Sequence, residues 1–383
     1  TIKLNNNKLH ILFLSSWYPS RVFPTNGDFV QRHAETMAIE HQITIIHVVT
    51  DKDVTKKVEI VDKKVNNVRT IIAYVPEKIH LLKFFFFLKT YMKIIKCIDN
   101  FDLIHLNITY PKGLIALYLK LLNQKKYIIT EHWTDYQYPL NKSIGFLRKQ
   151  LTKLIVKNAE FVCPVTNNLQ TEMIHFGLKG NYKTVPNVVD TDLFIPNKKS
   201  SEGFKILHIS NMLDSQKNVT GILNTMSKLE SKIPNIELVL IGENSEKYKK
   251  HANILQLKKI TYINHITQQQ LVNYFQEASL FLLFSNHENL PCVILESFSS
   301  GTPVISTNVG GVSEFFPNNF GTLIPVKDEN KLYEEILNFY SKEKILETST
   351  EMHSYAVNNF SKSTICGKFT EIYYESINNK KVI

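Results

Sequence analysis

Residues 285–314 decide the fold and read Ser-Asn-His-Glu-Asn-Leu-Pro-Cys-Val-Ile-Leu-Glu-Ser-Phe-Ser-Ser-Gly-Thr-Pro-Val-Ile-Ser-Thr-Asn-Val-Gly-Gly-Val-Ser-Glu. The stretch leaves an apolar strand, passes through a polar loop into a short helix, breaks at Gly-Thr-Pro and enters a second strand. Pro291 fits the helix start, because the first helical position needs no backbone N–H. This order is typical of a parallel sheet covered by helices.

The same stretch predicts an anion site. A helix start presents N–H groups and the positive end of the helix dipole, and both favour phosphate. Glu288 lies in the loop before the helix, and Glu296 lies eight residues later, inside it. A carboxylate one or two turns along can reach a sugar hydroxyl of a ligand whose phosphates sit at the helix start. The pattern therefore favours a nucleotide-sugar.

Working outward, the same alternation of short apolar runs and helices extends along the chain. The predicted strands lie at 9–16, 43–49, 101–107, 127–131, 161–166, 205–210, 236–241, 260–264, 280–285 and 303–307. Helical spacing is found at 29–39, 218–229, 268–277, 329–340, 344–358 and 364–377. The polar, Lys- and Ser-rich stretch 197–203 reads as a linker. We expect an α/β chain of two doubly wound domains.

The composition describes a basic globular chain. Of its 383 residues 43% are hydrophobic, and the net charge is +10. A basic surface attracts nucleic acid, anionic lipid or phosphorylated substrates, but no zinc-finger, helix-turn-helix or Arg-rich pattern indicates nucleic acid. The four cysteines form no Cys-x-x-Cys pair, which disfavours a zinc site and a disulfide framework. With neither a signal peptide nor a run of about 18 apolar residues, we expect a cytoplasmic protein.

A series of short motifs adds to this interpretation. They are Ser16-Trp17-Tyr18-Pro19 with Gly27-Asp28-Phe29, Thr130-Glu131-His132, Val185-Pro186-Asn187-Val188-Val189-Asp190, Lys217-Asn218, Glu288 with Glu296, Gly301-Thr302-Pro303 and Gly310-Gly311. Each is unspecific alone, but in their order and spacing they resemble the retaining glycosyltransferases of family 4, which have the GT-B fold. The resemblance covers nearly the whole chain. It implies two Rossmann-like domains facing each other across a cleft.

The resemblance also implies a division of labour between the domains. We expect an N-terminal acceptor-binding domain over 1–198 and a C-terminal nucleotide-sugar domain over 199–360. The last helix, 361–383, is expected to pack back on the N-terminal domain.

In the donor domain the resemblance assigns Glu296 to the ribose hydroxyls and Glu288 to hydroxyls of the transferred sugar. Backbone N–H groups of Asn289 and Leu290, with the Lys217 ammonium, would hold the diphosphate. Negative charge grows there as the glycosidic bond breaks, so a fixed cation lowers the barrier. No metal or other cofactor is then expected.

Three further residues, Ser210, Asn211 and Asn187, are expected at the donor. Asn211 stands where many members of the family carry Arg, and its amide supplies no charge. In the acceptor domain His132 would lie beside the donor sugar as a third catalytic residue with Glu288 and Lys217. The loop containing Trp17, Asn26 and Gly27 would close over the phosphates or the acceptor, and Gly27 permits close backbone approach.

Some of these residues also fit other interpretations. Glu288 and Glu296 are also compatible with a glycosidase-type pair, which their placement toward one ligand edge disfavours. Asp-x-Asp pairs at 51–53 and 190–192 look like metal-binding motifs; we interpret the first as a solvated loop and the second as structural. His33 and His175 have no functional context.

The segment 78–96 allows two readings that the sequence leaves open. Lysines at 78, 83, 89, 93 and 96 flank an aromatic run at 84–87. The segment fits a helix lying in an anionic membrane interface, which would make the protein peripheral on the inner leaflet of the plasma membrane. It equally fits a core helix with snorkelling lysines.

The sequence thus favours an enzyme that moves a hexose or N-acetylhexosamine from a UDP- or GDP-sugar to a free or lipid-linked saccharide, in polysaccharide or envelope glycan biosynthesis. The alternative is a non-catalytic nucleotide-sugar-binding subunit of a transferase complex, supported by Asn211. A dinucleotide oxidoreductase is disfavoured because no Gly-x-Gly-x-x-Gly follows a strand.

Overall fold

The structure, a computed structural model, describes residues 8–55, 57–77, 80–197 and 203–378. The chain divides into two compact units, the first comprising 1–188 and 365–383 and the second 189–364. The expected boundary at 198/199 lies outside the described residues, and the division falls earlier, between Val188 and Val189.

The first unit contains a seven-stranded sheet with the strand order β3-β4-β2-β1-β5-β6-β7. All its pairings are parallel except β3 with β4. The central strands are buried along their length, which explains their continuous apolar sequences. The strands are β1 His10–Ser15, β2 Gln42–Thr50, β3 Glu59–Val65, β4 Val68–Val75, β5 Leu103–Asn107, β6 Tyr127–Glu131 and β7 Val162–Pro164.

Six helices accompany this sheet. They are α1 Asp28–Met37, α2 His80–Ile95, α3 Gly113–Asn123, α4 Phe146–Asn158, α5 Asn167–His175 and, from the end of the chain, α13 Lys362–Asn378. Ile365, Phe369 and Tyr373 of α13 belong to the same buried apolar cluster as Ile11 and Phe13 of β1. The final helix therefore completes the core of the first unit.

The β3–β4 hairpin was not predicted, because no strand was expected between 49 and 101 and the expected sheet was parallel. The two strands are joined by Asn66 and Asn67, whose φ values are 46° and 66°. Asparagine tolerates this left-handed conformation, and two such residues make the tight turn that hairpins favour. The hairpin adds an antiparallel edge strand to the sheet.

The second unit contains a six-stranded, all-parallel sheet with the order β10-β9-β8-β11-β12-β13. Its strands are β8 Phe204–Ile209, β9 Ile236–Ile241, β10 Ile260–Ile263, β11 Leu280–Leu283, β12 Val304–Thr307 and β13 Gly321–Ile324, of which β13 was not predicted. Its helices are α6 Asp214–Lys217, α7 Val219–Leu229, α8 Lys249–Ile254, α9 Gln268–Glu277, α10 Cys292–Ser299, α11 Glu329–Tyr340 and α12 Ser349–Phe360.

Each sheet has a point where the strand order reverses. In the first sheet this point lies between β1 and β5, and in the second between β8 and β11. Loops on either side of such a point diverge and leave a crevice beyond the carboxyl ends of the strands, where open α/β sheets bind ligands. The predicted doubly wound α/β class is confirmed, and the reversal points locate the two sites described below.

Candidate functional site

In the second unit, hydrogen bonds join the loops that follow β8 and β11. Asn286 N–H donates to Gln216 O at 2.7 Å, and Asn286 Nδ2 donates to Ser215 O at 3.0 Å. Gln216 Nε2 donates in return to His287 O at 3.4 Å. These bonds hold the short helix α6 beside the loop of residues 286–291.

This contact brings Lys217 and Glu288 together as an ion pair. The Lys217 Nζ contacts Glu288 Oε1, and the two side chains are only 11% and 7% exposed. The sequence assigned these residues to different parts of a ligand, whereas the structure joins them directly. A largely buried pair of this kind holds both charges in place, because neither side chain is free to sample solvent.

Glu296 is buried in α10, with 1% of its surface exposed. It accepts a hydrogen bond of 3.4 Å from Nε2 of Gln268, at the start of α9. The helix begins at Cys292, with Pro291 as the residue just before it, so the predicted start was one residue early. Asn289 and Leu290 are buried in the preceding loop, and Asn289 O accepts from Gly311 N at 3.2 Å. That bond joins the loop after β12 to the same site.

Ser210 and Asn211 follow β8 and take part in local bonding. Ser210 Oγ lies 2.8 Å from His208 Nε2 and accepts from Met212 N at 3.0 Å. Asn211 is exposed, and its Oδ1 accepts from Leu213 N at 3.1 Å. The amide that replaces the family's Arg therefore closes a turn. His208, which the sequence analysis did not single out, is buried and positions Ser210.

In the first unit, His132 follows β6 and lies among aromatic rings. Its ring centroid is 4.4 Å from that of Phe29 and 5.4 Å from that of His33. Burial, with the neighbouring His33 and His105, holds the pKa of His132 well below its usual range, while a hydrogen bond with Asn187 opposes that shift. Asn187 was expected at the donor, and the structure places it in the first unit against this ring. His132 is thus a neutral imidazole at neutral pH.

Glu131, to which the sequence assigned no role, organises this region. Its fully buried carboxylate accepts hydrogen bonds from Thr109 N and Oγ1 at 2.9 and 2.7 Å. It also accepts from the backbone N–H groups of His132 and Trp133 at 2.9 and 3.0 Å. Burial raises the pKa of Glu131 and these four bonds oppose the rise. One side chain therefore orders the loops after β5 and β6, and only its place in the Thr-Glu-His motif marked it.

Gly27 has a structural reason to be glycine. Its φ is 77°, and a Cβ atom would lie 2.5 Å from the carbonyl carbon and oxygen of Trp17. The close approach expected for Gly27 is thus made to the backbone of Trp17. It fixes the loop after β1 against the start of α1, where the Trp17 and Phe29 rings meet edge to face at 6.2 Å.

A cavity of about 1060 Å³ lies beyond the carboxyl ends of β1, β2, β5 and β6, at the reversal point of the first sheet. Each of the four loops contributes to its lining, with Trp17, Asp51, Tyr110 and Trp133 respectively. Asn26 also lines it, whereas Gly27 and His132 do not.

In each Asp-x-Asp pair the first aspartate forms a salt bridge with a basic side chain of the protein. Asp51 is buried and accepts from Arg21 Nε at 2.7 Å, so its interpretation as part of a solvated loop was wrong. Asp190 accepts from Lys362 Nζ at 2.5 Å. Within the described residues no cluster of three or more His, Cys, Asp or Glu side chains forms a metal site.

Within the segment 78–96, α2 comprises His80–Ile95. Lys78 and Ile79 and the side chains of residues 80–82 and 84 lie outside the described part of the chain. Tyr91, Ile94 and Ile95 pack into the first unit, and Phe85 is 64% exposed. The C-terminal end of α2 therefore belongs to the core, as the core-helix reading expected, and the membrane-interface reading stays a prediction. None of the helices described is long and apolar enough to cross a membrane.

Comparison with known proteins identifies the family. Residues 28–193 match the family model Glycosyltransferase Family 4, and residues 190–358 match the model Glycosyl transferases group 1. The chain belongs to glycosyltransferase family 4. The family predicted from the motifs is confirmed.

Two solved structures and one curated relative of this family 4 chain are informative. Sucrose-phosphate synthase of Thermosynechococcus elongatus has a TM-score of 0.79 at 18% identity, covering 96% of this chain and 99% of that one. Anabaena HepE in complex with UDP and glucose has a TM-score of 0.74 at 15% identity, covering 96% and 99%. These likenesses show the GT-B fold. TuaC of Bacillus subtilis, named as a teichuronic acid biosynthesis glycosyltransferase, is 27% identical over 62% of this chain and 61% of its own length.

Proposed function

We propose that the protein is a retaining, metal-independent glycosyltransferase. It moves a hexose or N-acetylhexosamine from a UDP- or GDP-sugar to a saccharide hydroxyl in polysaccharide or envelope glycan biosynthesis. The observation that carries the proposal is the gathering of Lys217, Glu288 and Glu296 around the reversal point of the second sheet. Family membership and the relative named for teichuronic acid synthesis support it.

In the proposed reaction the bond between the anomeric carbon and the diphosphate oxygen breaks. A bond to the acceptor oxygen forms on the same face of the sugar, and the acceptor proton passes to the leaving phosphate. The Lys217 ammonium stabilises the charge that develops on the diphosphate, which is the reason for proposing no metal. Glu296 binds the ribose hydroxyls, and Glu288 positions Lys217 and contacts the transferred sugar.

We also propose that the donor nucleotide is UDP and that the protein contacts a membrane. The likeness to HepE, a structure solved in complex with UDP and glucose, supports a UDP-sugar as the donor. We place the protein at the inner leaflet of the plasma membrane, with α2 against anionic lipid. The exposed Phe85, Lys89, Lys93 and Lys96 support this contact, because they recur at the spacing of one helix face.

Calorimetric titration of the full chain with UDP and with GDP, each with and without EDTA, tests the donor site. We expect one nucleotide to bind equally well in EDTA. Glu296→Ala should weaken that binding by about 1–3 kcal/mol, since buried hydrogen bonds to the ligand are lost. A matched control is Glu371→Ala, an exposed carboxylate of the first unit. Unchanged affinity in Glu296→Ala would remove this residue from the ribose role.

Release of free sugar from the bound donor separates an enzyme from a binding subunit. A transferase passes sugar slowly to water, and Lys217→Met should lower that rate while folding is kept. A protein that binds the nucleotide but releases no sugar, with or without acceptor, would contradict the proposed activity.

A further inference from the structure

Lys112, in the cavity of the first unit, is a buried cation that the donor site does not use. It follows β5, lines the cavity and is only 8% exposed. Its Nζ lies 4.3 Å from the ring centroid of Phe87 and 4.8 Å from that of Tyr91. Among the described residues no carboxylate lies within ion-pair distance of this ammonium. Two aromatic faces are therefore its partners.

The electrostatic setting of Lys112 is unfavourable for a cation. Burial, together with the nearby Lys83, lowers the pKa of Lys112 to about 7. Lys83 also lines the cavity. A buried charge without a counter-ion is costly, so an anion entering the cavity would gain more from Lys112 than from an exposed lysine.

Arg148 adds a second cation to the same wall. It comes from α4, and its guanidinium carbon lies 4.1 Å from the Trp133 ring centroid and 5.0 Å from that of Tyr110. Rings contact the face of a guanidinium, whereas a carboxylate or phosphate binds its edge at two points. Burial raises the pKa of the nearby Asp135, and the Arg148 charge opposes that rise. Tyr110 and Lys112 share one loop, so the two cations border the same space.

The carboxylates of the cavity stand apart from these two cations. Asp51 is paired with Arg21, which also binds Glu59 at 2.6 Å. Asp53 and Glu77 are exposed. The acid groups of the lining thus accompany Arg21 or face solvent, and among the described residues no salt bridge involves Lys112 or Arg148.

The loop that carries Lys112 is held in a strained form. Ile108 has a φ of 67°, which is unusual for a β-branched residue. Its N–H donates to Thr130 O at 2.9 Å, and Thr109 is bound twice by Glu131. Strain that the surroundings maintain is typical of sites where geometry matters. Lys112 is therefore presented to the cavity by a fixed backbone.

We propose that this cavity is the acceptor subsite and that the acceptor is an acidic saccharide, whose carboxylate or phosphate is bound by Lys112 and Arg148. The proposal rests on the proposed transferase function, since only then does an acceptor exist. It names a substrate class that the family resemblance leaves open.

The chain supplies its own probe for this cavity. It contains two tryptophans, Trp17 and Trp133, and both line the cavity. We would titrate the full chain with D-glucuronate, with D-glucose 6-phosphate and with neutral D-glucose, and follow tryptophan fluorescence. One or both acidic sugars should give a saturable change at concentrations at least tenfold lower than glucose. Tighter binding of D-glucuronate would indicate that the subsite recognises a carboxylate, and tighter binding of D-glucose 6-phosphate would indicate a phosphate.

Lys112→Met keeps the apolar contact with Phe87 and removes the charge, and Arg148→Met tests the second cation. Each should raise the Kd of the acidic sugar at least tenfold and leave that of glucose unchanged. Lys157→Met, an exposed lysine of α4, is the matched control and should change neither value.

Two results would overturn the proposal. One is the absence of the expected selectivity, either because glucose and the acidic sugars bind wild type equally or because both variants keep the wild-type Kd values. Thermal midpoints would show that the variants are folded. The other is displacement of the acidic sugar by UDP or GDP with nucleotide affinity lost in Lys112→Met, since the cavity would then hold the donor. Failure of nucleotide binding in wild type and Glu296→Ala alike, with acidic sugar still bound, would instead reject the proposed function and with it the acceptor assignment.

Discussion

Two buried titratable residues of the first unit show how differently the fold treats polar groups. Glu131 is surrounded by four donors, whereas neither ring nitrogen of His33 has a hydrogen-bond partner among the described atoms. His33 lies on α1 between the rings of His132 and Phe369, at 5.4 and 5.6 Å. An imidazole in such a place remains neutral, because its protonated form would be buried without an acceptor.

The buried imidazole of His33, which has no hydrogen-bond partner among the described residues, predicts that the free energy of unfolding falls at acidic pH. Burial, with Arg32, lowers the pKa of His33 from 6.5 to about 4. Between these values the unfolded chain binds a proton that the folded chain does not, so the stability linked to His33 is full above pH 6.5 and is lost as the pH falls through about 4. Wild type should lose about 3 kcal/mol more than His33→Leu over this range.

Urea unfolding of both proteins at pH 7.5, 6, 5 and 4 measures this effect. The other buried histidines, His10, His41, His47, His105 and His208, are common to both proteins, so the difference between the two curves reports on His33. Parallel curves would mean that His33 is protonated inside the fold or is solvated there.

At the scale of elements, α2 divides into two ends with different surroundings. Near its C-terminus Tyr91 is fully buried, and its hydroxyl accepts a hydrogen bond of 3.2 Å from Val48 N–H in β2. Towards the other end Phe87 lines the cavity and Phe85 projects outward. One helix thus serves the core, the cavity and the surface, and a change to the whole aromatic run would disturb all three.

The membrane contact can therefore be tested at Phe85 alone. Phe85→Ser should lower binding to vesicles of phosphatidylglycerol and phosphatidylcholine several-fold, because an exposed ring no longer inserts beside the lysines. Pure phosphatidylcholine vesicles should bind weakly in both cases. Sedimentation with vesicles is the measurement, and Phe146→Ser, at an even more exposed phenylalanine of α4, is the control. Loss of vesicle binding in Phe146→Ser but not in Phe85→Ser would show that α2 is not the membrane contact.

At the scale of the whole molecule, the chain crosses between its units twice, at Val188/Val189 and at Thr364/Ile365. The return allows α13 to finish the core of the first unit. His105 of β5 lies 2.7 Å from the Tyr373 hydroxyl and 2.6 Å from Thr130 Oγ1. Phe369 packs against the rings of His33, His105 and Tyr373. The first unit is therefore incomplete without the last part of the chain.

Phe369→Ala should destabilise the first unit by about 3–5 kcal/mol, because a fully buried aromatic ring is replaced by a cavity. Both tryptophans belong to this unit, so urea unfolding followed by tryptophan fluorescence reports it directly. Glu371→Ala, an exposed position on the same helix, should leave the midpoint unchanged. An unaltered midpoint in Phe369→Ala would show that α13 contributes little to the core.

The sequence by itself determined the α/β class, most of the strands and the family. Continuous apolar runs mark strands buried on both faces, and the residues of the 285–314 stretch are local to one strand–loop–helix unit, so their order predicts their placement. The turn of the β3–β4 hairpin was within reach of sequence reasoning, because Asn66-Asn67 is a turn signal directly before the largely apolar strand β4. Strand β3 was not, because its sequence Glu-Ile-Val-Asp-Lys-Lys-Val is largely charged and exposed.

Only the tertiary structure decided which groups meet. Lys217 and Glu288 are 71 residues apart and pair because β8 and β11 are neighbours in the sheet. Glu131 reaches Thr109 for the same reason in the first sheet. In the sequence nothing distinguishes Lys112 from the other lysines of a basic chain. Its burial depends on α2, which contacts it, and on β2, which lines the same cavity. Proximity between loops and the desolvation of a charge are properties of the packed layers, so no local pattern in the sequence could reveal them.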